Sequence, residues 1–266
     1  MLFMLTGEVQ TGKTRWLESL VSQLSLDGVR CSGVLAPGMW RRRGADEQRE
    51  EPAEGSLDLE ACPSARPAHA GGTDAAAASL LPLGLSDDAG RQDPLPFGGL
   101  PLSAPVQGLA GSGEFEKLGI ENVLLPGGER ILFARRRDLS QKAGTFDPSS
   151  QSAAAQLAWD ISDAALMRVN DHFASLAGSA RDASVQRGLL VVDELGRLEL
   201  MRGGGLTEAV SLLEAGPTPA FPHAIIVVRA ALAERAGARF ASSWGGFQAV
   251  FPDDAGRAVI RAACGV

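Results

Sequence analysis

The eight residues Gly7-Glu8-Val9-Gln10-Thr11-Gly12-Lys13-Thr14 constrain this chain more than any other part of it. They match the pattern G-x-x-x-x-G-K-[ST] in full. Such a loop needs a strand to deliver the chain and a helix to lead it away, and both are legible. Met1 to Leu5 is a short apolar run that fits a buried strand. From Lys13 onward, Trp16, Leu17, Leu20, Val21 and Leu24 recur at helical spacing, until Asp27-Gly28 ends the pattern. The glycines let the backbone curl so that successive N–H groups converge on phosphate oxygens, and the helix start adds the positive end of its dipole. On this reading residues 7–14 bind a nucleotide, Lys13 reaches its β- and γ-phosphates, and the Thr14 hydroxyl ligates Mg2+. Glu8 sets a carboxylate beside a polyphosphate, so its side chain is expected to point outward. The bland alternative is a glycine-rich turn that happens to precede a helix.

A second motif completes the first. Leu189-Leu190-Val191-Val192 is an apolar run that ends in Asp193-Glu194. Two carboxylates after a strand are by themselves as often a turn as a site. Beside a phosphate loop they acquire roles, with Asp193 holding the Mg2+ shell from the strand next to the first. Glu194 would then orient and deprotonate the attacking water. Arg229 follows another apolar run, Ala224 to Val228, and so stands at the sheet edge where α/β proteins bind ligands. It joins Lys13 and Glu194 as a catalytic candidate. The triplets Arg41-Arg42-Arg43 and Arg135-Arg136-Arg137 could also neutralise charge on a transferred phosphate, although solvated runs explain them more simply.

The remaining elements predict an α/β fold with a mainly parallel sheet and helices on both faces. Cys31 to Leu35 suggests a second strand, and Asn122 to Leu125 with Arg130 to Ala134 suggests a hairpin around Pro126-Gly127-Gly128. Ala153 to Phe173 and Leu206 to Leu213 read as helices. Strands apolar throughout, alternating with helices, are the mark of a covered parallel sheet. Between residues 44 and 112 the chain turns to Ala, Gly, Pro and acidic residues, with eleven acidic and three basic side chains. The other residues hold 22 basic and 21 acidic side chains, a net of +1, so this segment at −8 accounts for the chain's net charge of −7. Its composition cannot bury enough apolar surface to offset ordering entropy, and predicts a mostly disordered insertion in a single 1–266 domain, with an acidic interaction tail looped out mid-chain as the alternative.

Together, Thr6-Gly7 through Thr14, Gly33-Val34-Leu35-Ala36-Pro37 and Val192-Asp193-Glu194-Leu195-Gly196-Arg197-Leu198-Glu199-Leu200 resemble the cancer-related nucleoside-triphosphatase family. The likeness extends to Gly128-Glu129-Arg130, to Leu132-Phe133-Ala134-Arg135, to the stretch from Phe146 to Asn170, and to Val227-Val228-Arg229. It departs at Gln10, where that family usually has Gly, and in the length of the 44–112 insertion. The resemblance implies a P-loop, RecA-like domain that slowly hydrolyses several nucleoside triphosphates, ATP and GTP among them, with Mg2+. It also favours a structural role at the site for Glu199.

Other chemistry finds little support. The acidic balance argues against a nucleic-acid partner. No apolar run reaches the roughly 18 residues of a membrane span, and MLFMLTGEV lacks the features of a signal peptide, so a cytoplasmic protein is expected. Cys31, Cys62 and Cys264 form no metal or disulfide pattern, and His69, His172 and His223 share no ligand spacing. Two functions from other classes stay open: a small-molecule or nucleotide kinase with an arginine triplet on its acceptor, and a nucleotide-gated binding switch.

Overall fold

Leu189 and Val191 pack on one side of their strand, Leu190 and Val192 on the other, and all four are buried. A strand apolar on both faces must lie inside a covered sheet. A computed structural model describes residues 1–7, 11–43 and 115–266. Glu8, Val9 and Gln10, and the whole expected insertion 44–112, lie outside the described residues. The strands are β1 (Leu2–Leu5), β2 (Arg30–Leu35), β3 (Gly38–Arg42), β4 (Phe115–Leu125), β5 (Glu129–Arg136), β6 (Trp159–Ile161), β7 (Gly188–Leu195), β8 (His223–Val228) and β9 (Phe247–Val250). They form one sheet in the order β6-β5-β4-β2-β7-β8-β1-β9, with β3 also paired to β4.

The sheet is mixed. From β2 through β7, β8 and β1 to β9 every ladder is parallel. From β2 through β4 to β3, β5 and β6 every ladder is antiparallel. The expectation of a mainly parallel sheet therefore holds for only half of it. The cause is the hairpin 115–136, which closes through a tight turn and so must run antiparallel. A second correction concerns order: β7 does not lie beside β1, because β8 stands between them.

Helices cover both faces. On one side α1 (Lys13–Leu26) buries Leu17, Leu20, Val21 and Leu24, joined by Ile260 of α7 (Asp254–Cys264). Each such side chain contributes about 1.5–3 kcal/mol when fully buried. On the other side lie α4 (Asp163–Ser179), α5 (Thr207–Glu214) and α6 (Ala230–Trp244), whose Phe173, Leu213 and Phe240 join a larger core. Short helices α2 (Arg137–Lys142) and α3 (Gln151–Ala154) complete the described elements, with a π-helical turn at Leu198–Arg202.

The helix expected from Ala153 to Phe173 is broken in two. Residues 159–161 are drawn out to pair with β5, and Gln156 takes a left-handed φ of 54°. Ser162 then starts α4 afresh, its hydroxyl accepting from the Ala165 N–H at 3.2 Å. A cap of this kind is worth about 1 kcal/mol. Edge pairing outcompetes helical periodicity here. Among the described residues, no helix is long and apolar enough to cross a membrane.

Candidate functional site

The site lies where β1, β7 and β8 end. β1 delivers Gly7, with φ of 148°, and Thr11 and Gly12 lead into α1. Gly12, at φ of 80°, is the left-handed residue before α1. Lys13 bends back over the loop, its Nζ donating to the Gly7 carbonyl at 3.0 Å and to Thr11 Oγ1 at 3.4 Å. The next residue points across the sheet: Thr14 Oγ1 donates to Asp193 Oδ1 at 3.4 Å, joining positions 179 apart in sequence. The two motifs meet although β8 separates their strands.

Asp193 is 2% exposed. Its other oxygen, Oδ2, accepts from the Ala36 N–H at 2.9 Å. That amide sits at the end of β2, and Gly33 is what brings β2 close enough. At φ of 124°, a methyl group at position 33 would collide with the Val191 carbonyl oxygen. Burial pushes the Asp193 carboxyl up to about 7, and Glu194 pushes the same way, against the pull of the Ala36 amide and the Thr14 hydroxyl. Taking this carboxylate out of water favours its protonated form unless a positive charge comes to lie beside it.

Glu194 sits on an irregularity. Between Val192 and Leu195 the β7–β8 register shifts, and Glu194 adopts φ of 65°. Non-glycine residues rarely take this conformation, and bulges of this sort re-aim side chains near sites. The carboxylate meets Arg229, whose Nε and a terminal nitrogen donate to Oε1 at 3.1 and 2.7 Å. Both partners are partly exposed. The two catalytic candidates read separately from the sequence thus form one ion pair.

No family model, curated protein or solved structure matches this chain.

Glu199 is buried, and its carboxylate accepts from the Gly196 N–H at 2.8 Å and the Leu206 N–H at 3.2 Å. It ties down the segment that follows Glu194, and burial raises its carboxyl above the usual range. The arginine triplets are partly committed elsewhere. Arg41 and Arg136 share Glu116, Arg136 also binds Asp138, and the Arg137 guanidinium lies over Phe146. His172 bonds the Gly33 carbonyl at 3.1 Å and so braces β2.

Two contributors escaped the sequence reading. The Ala36 amide has no side-chain signature, although Pro37 after it does mark the strand end. Lys117, on β4, is partly buried near the Asp193–Glu194 bulge and leaves one signal: it is one of only three lysines beside 22 arginines.

Proposed function

We propose that this chain is an Mg2+-dependent nucleoside-triphosphatase built on a P-loop, RecA-like core, splitting ATP, GTP and related nucleotides into diphosphate and phosphate. The observation that carries the reading is the contact between Thr14 and Asp193. It puts a hydroxyl and a carboxylate together at the start of the helix that follows a complete phosphate-loop motif.

These residues fit Mg2+. The ion prefers hard oxygen donors, one or two carboxylates, and phosphate oxygens from the substrate. Thr14 and Asp193 would hold it; when bound, it supplies charge neutralisation at the β- and γ-phosphates. The chain's own residues account for the rest. Backbone N–H groups of residues 7–14 cradle the phosphates, and the left-handed turn at Gly12 lets them converge. Lys13, now resting on the Gly7 carbonyl, exchanges that bond for phosphate oxygens. Ala36 fixes the Asp193 carboxylate, so the oxygen facing Thr14 is preoriented. Glu194 accepts the proton of the attacking water, and Arg229 holds that carboxylate at the sheet edge until substrate arrives. Glu199 keeps the following segment from drifting.

A kinase reading needs a free cationic clamp for its acceptor, and Arg41 and Arg136 are both tied to Glu116. The decisive experiment is phosphate release from ATP and GTP with no acceptor present, with Mg2+ and in EDTA, alongside binding of a fluorescent ADP analogue. Mg2+-dependent release supports the triphosphatase. Release only after an acceptor is added would replace it with the kinase, and tight binding without release would replace it with the switch.

A further inference from the structure

Lys117 stands on β4 opposite Trp40 of β3, within electrostatic reach of Asp193, Glu194 and Arg229. Its side chain does not extend into solvent. The ammonium lies 5.1 Å from the centre of the Trp159 ring, over its face. The stem packs along Gly38, where an added methyl group would come 2.8 Å from Lys117 Cε and 3.4 Å from Nζ. Gly38 is two residues beyond Ala36, the residue whose amide holds Asp193. The same short segment therefore carries one contact to the buried carboxylate and one to the lysine.

The electrostatics agree with this placement. Burial pulls the Lys117 ammonium below its usual range, Glu194 and Asp193 pull it back up, and Arg229 pushes it down. All three charged residues of the bulge and its partner are within its field. Among the described residues no carboxylate bonds to Lys117, and its ammonium faces the Trp159 ring. A partly desolvated cation beside two carboxylates, with an aromatic face setting its direction, is arranged to receive an anion. The composition adds weight. Where 22 of 25 basic side chains are arginine, a lysine here is an exception, and the other lysine at this site is Lys13. Lysine offers a compact charge that can be held over a ring and turned to a single oxygen, whereas arginine's planar fork suits paired carboxylates such as Glu116.

We propose that Lys117 contacts the γ-phosphoryl group from the hairpin side of the site, opposite Lys13, and neutralises the charge that develops there as the terminal phosphate leaves. The proposal rests on the triphosphatase reading and deepens it, giving the antiparallel half of the sheet a direct part in turnover. Its effect belongs to the transition state more than to nucleotide binding, because charge on the equatorial oxygens is redistributed as the bond to the leaving oxygen breaks.

The test compares wild type with K117M, K117Q and K117R in the full chain, by phosphate release and by affinity for Mg2+·ADP and Mg2+·ADP·vanadate. The expected result is a fall of about 100-fold in turnover for the neutral variants. Their affinity for the vanadate complex should drop in parallel, with ADP affinity within a few-fold of wild type. K117R should recover at least tenfold over K117M. Unimpaired turnover in K117M would overturn the proposal, as would equal losses for ADP and the vanadate complex. If circular dichroism showed both neutral variants unfolded, Lys117 would be a folding element and the proposal would fall. A wild-type protein that binds no nucleotide at all removes the triphosphatase reading itself. Normal wild-type turnover beside an unimpaired K117M removes Lys117 alone.

Discussion

Asp193 and Glu194 are neighbours in sequence with opposite circumstances. Asp193 is sealed in and bonded by an amide and a hydroxyl; Glu194 is partly exposed and paired with Arg229. Glu194→Gln should keep the bulge but remove the base, lowering phosphate release by about 10²–10⁴-fold while nucleotide affinity is retained. Near-normal turnover in that variant, read by a phosphate-release assay, would take Glu194 out of the mechanism. For Asp193 the consequence is one of pH. Unfolded, its carboxyl titrates near 3.8; folded and without a cation, near 7. Between those values the folded chain holds a proton that the unfolded chain has lost, so stability falls as pH rises. The shift corresponds to a few kcal/mol, on the order of 1.4 per pH unit. Glu199 and Glu18 act in the same direction, and His172 and His223, whose pKa values are lowered, act against them. The Asp193 share is isolated by comparison with Asp193→Asn. In EDTA, wild type should lose melting temperature relative to that variant between pH 5 and pH 8. Parallel curves would mean that Asp193 is ionised in the fold.

At the scale of the element, the pairing of β2 with β7 decides whether Asp193 has a partner. Gly33→Ala would drive a methyl group into the Val191 carbonyl and force a left-handed conformation on alanine. A loss of stability of roughly 2–5 kcal/mol, measured by urea unfolding, is the expected outcome. Unchanged stability would mean that β2 can slide away from β7 without cost. What was legible in the sequence divides along the same lines. The strand Leu2–Leu5 and the helix Lys13–Leu26 were legible from a short apolar run and from helical spacing. The hairpin was legible from Pro126-Gly127-Gly128 between two apolar runs, and Val192-Asp193-Glu194 from its abrupt change of polarity. The break at 155–162 was not, because pairing with β5 is a tertiary gain that no local pattern encodes. Neither was the insertion of β8 between β1 and β7, since chain order does not fix strand order. The meeting of Arg229 with Glu194 was hidden for the same reason, although each residue stood out alone. The elements after Arg229, α6, β9 and α7, carry no motif and drew no assignment.

At the scale of the whole molecule, β3 and β4 are joined in space though more than seventy residues separate them in sequence. Arg42 and Phe115 are direct cross-strand partners. Replacing residues 44–112 with a short Gly/Ser linker therefore asks the linker only to turn a hairpin, and loop entropy changes by just about 0.6 kcal/mol per doubling of length. The shortened protein should fold, retain phosphate release within a few-fold, and carry a net charge of +1 in place of −7. An insoluble or unfolded product, judged by circular dichroism, would show that the fold depends on the removed residues. A folded product without turnover would make them part of the site.

The same register pair has a mechanical side. Chain enters and leaves the insertion at adjacent points of one antiparallel ladder, so a pull applied across those points meets the β3–β4 bonds one at a time, as in opening a zipper. Load of that kind peels β3 from β4 before it can reach the parallel strands further across the sheet. Anything that tugs on the insertion would thus act first on the two strands that carry Gly38 and Lys117. The ladders of β1, β7 and β8, which lead to Gly7 and to the acidic bulge, would feel it last.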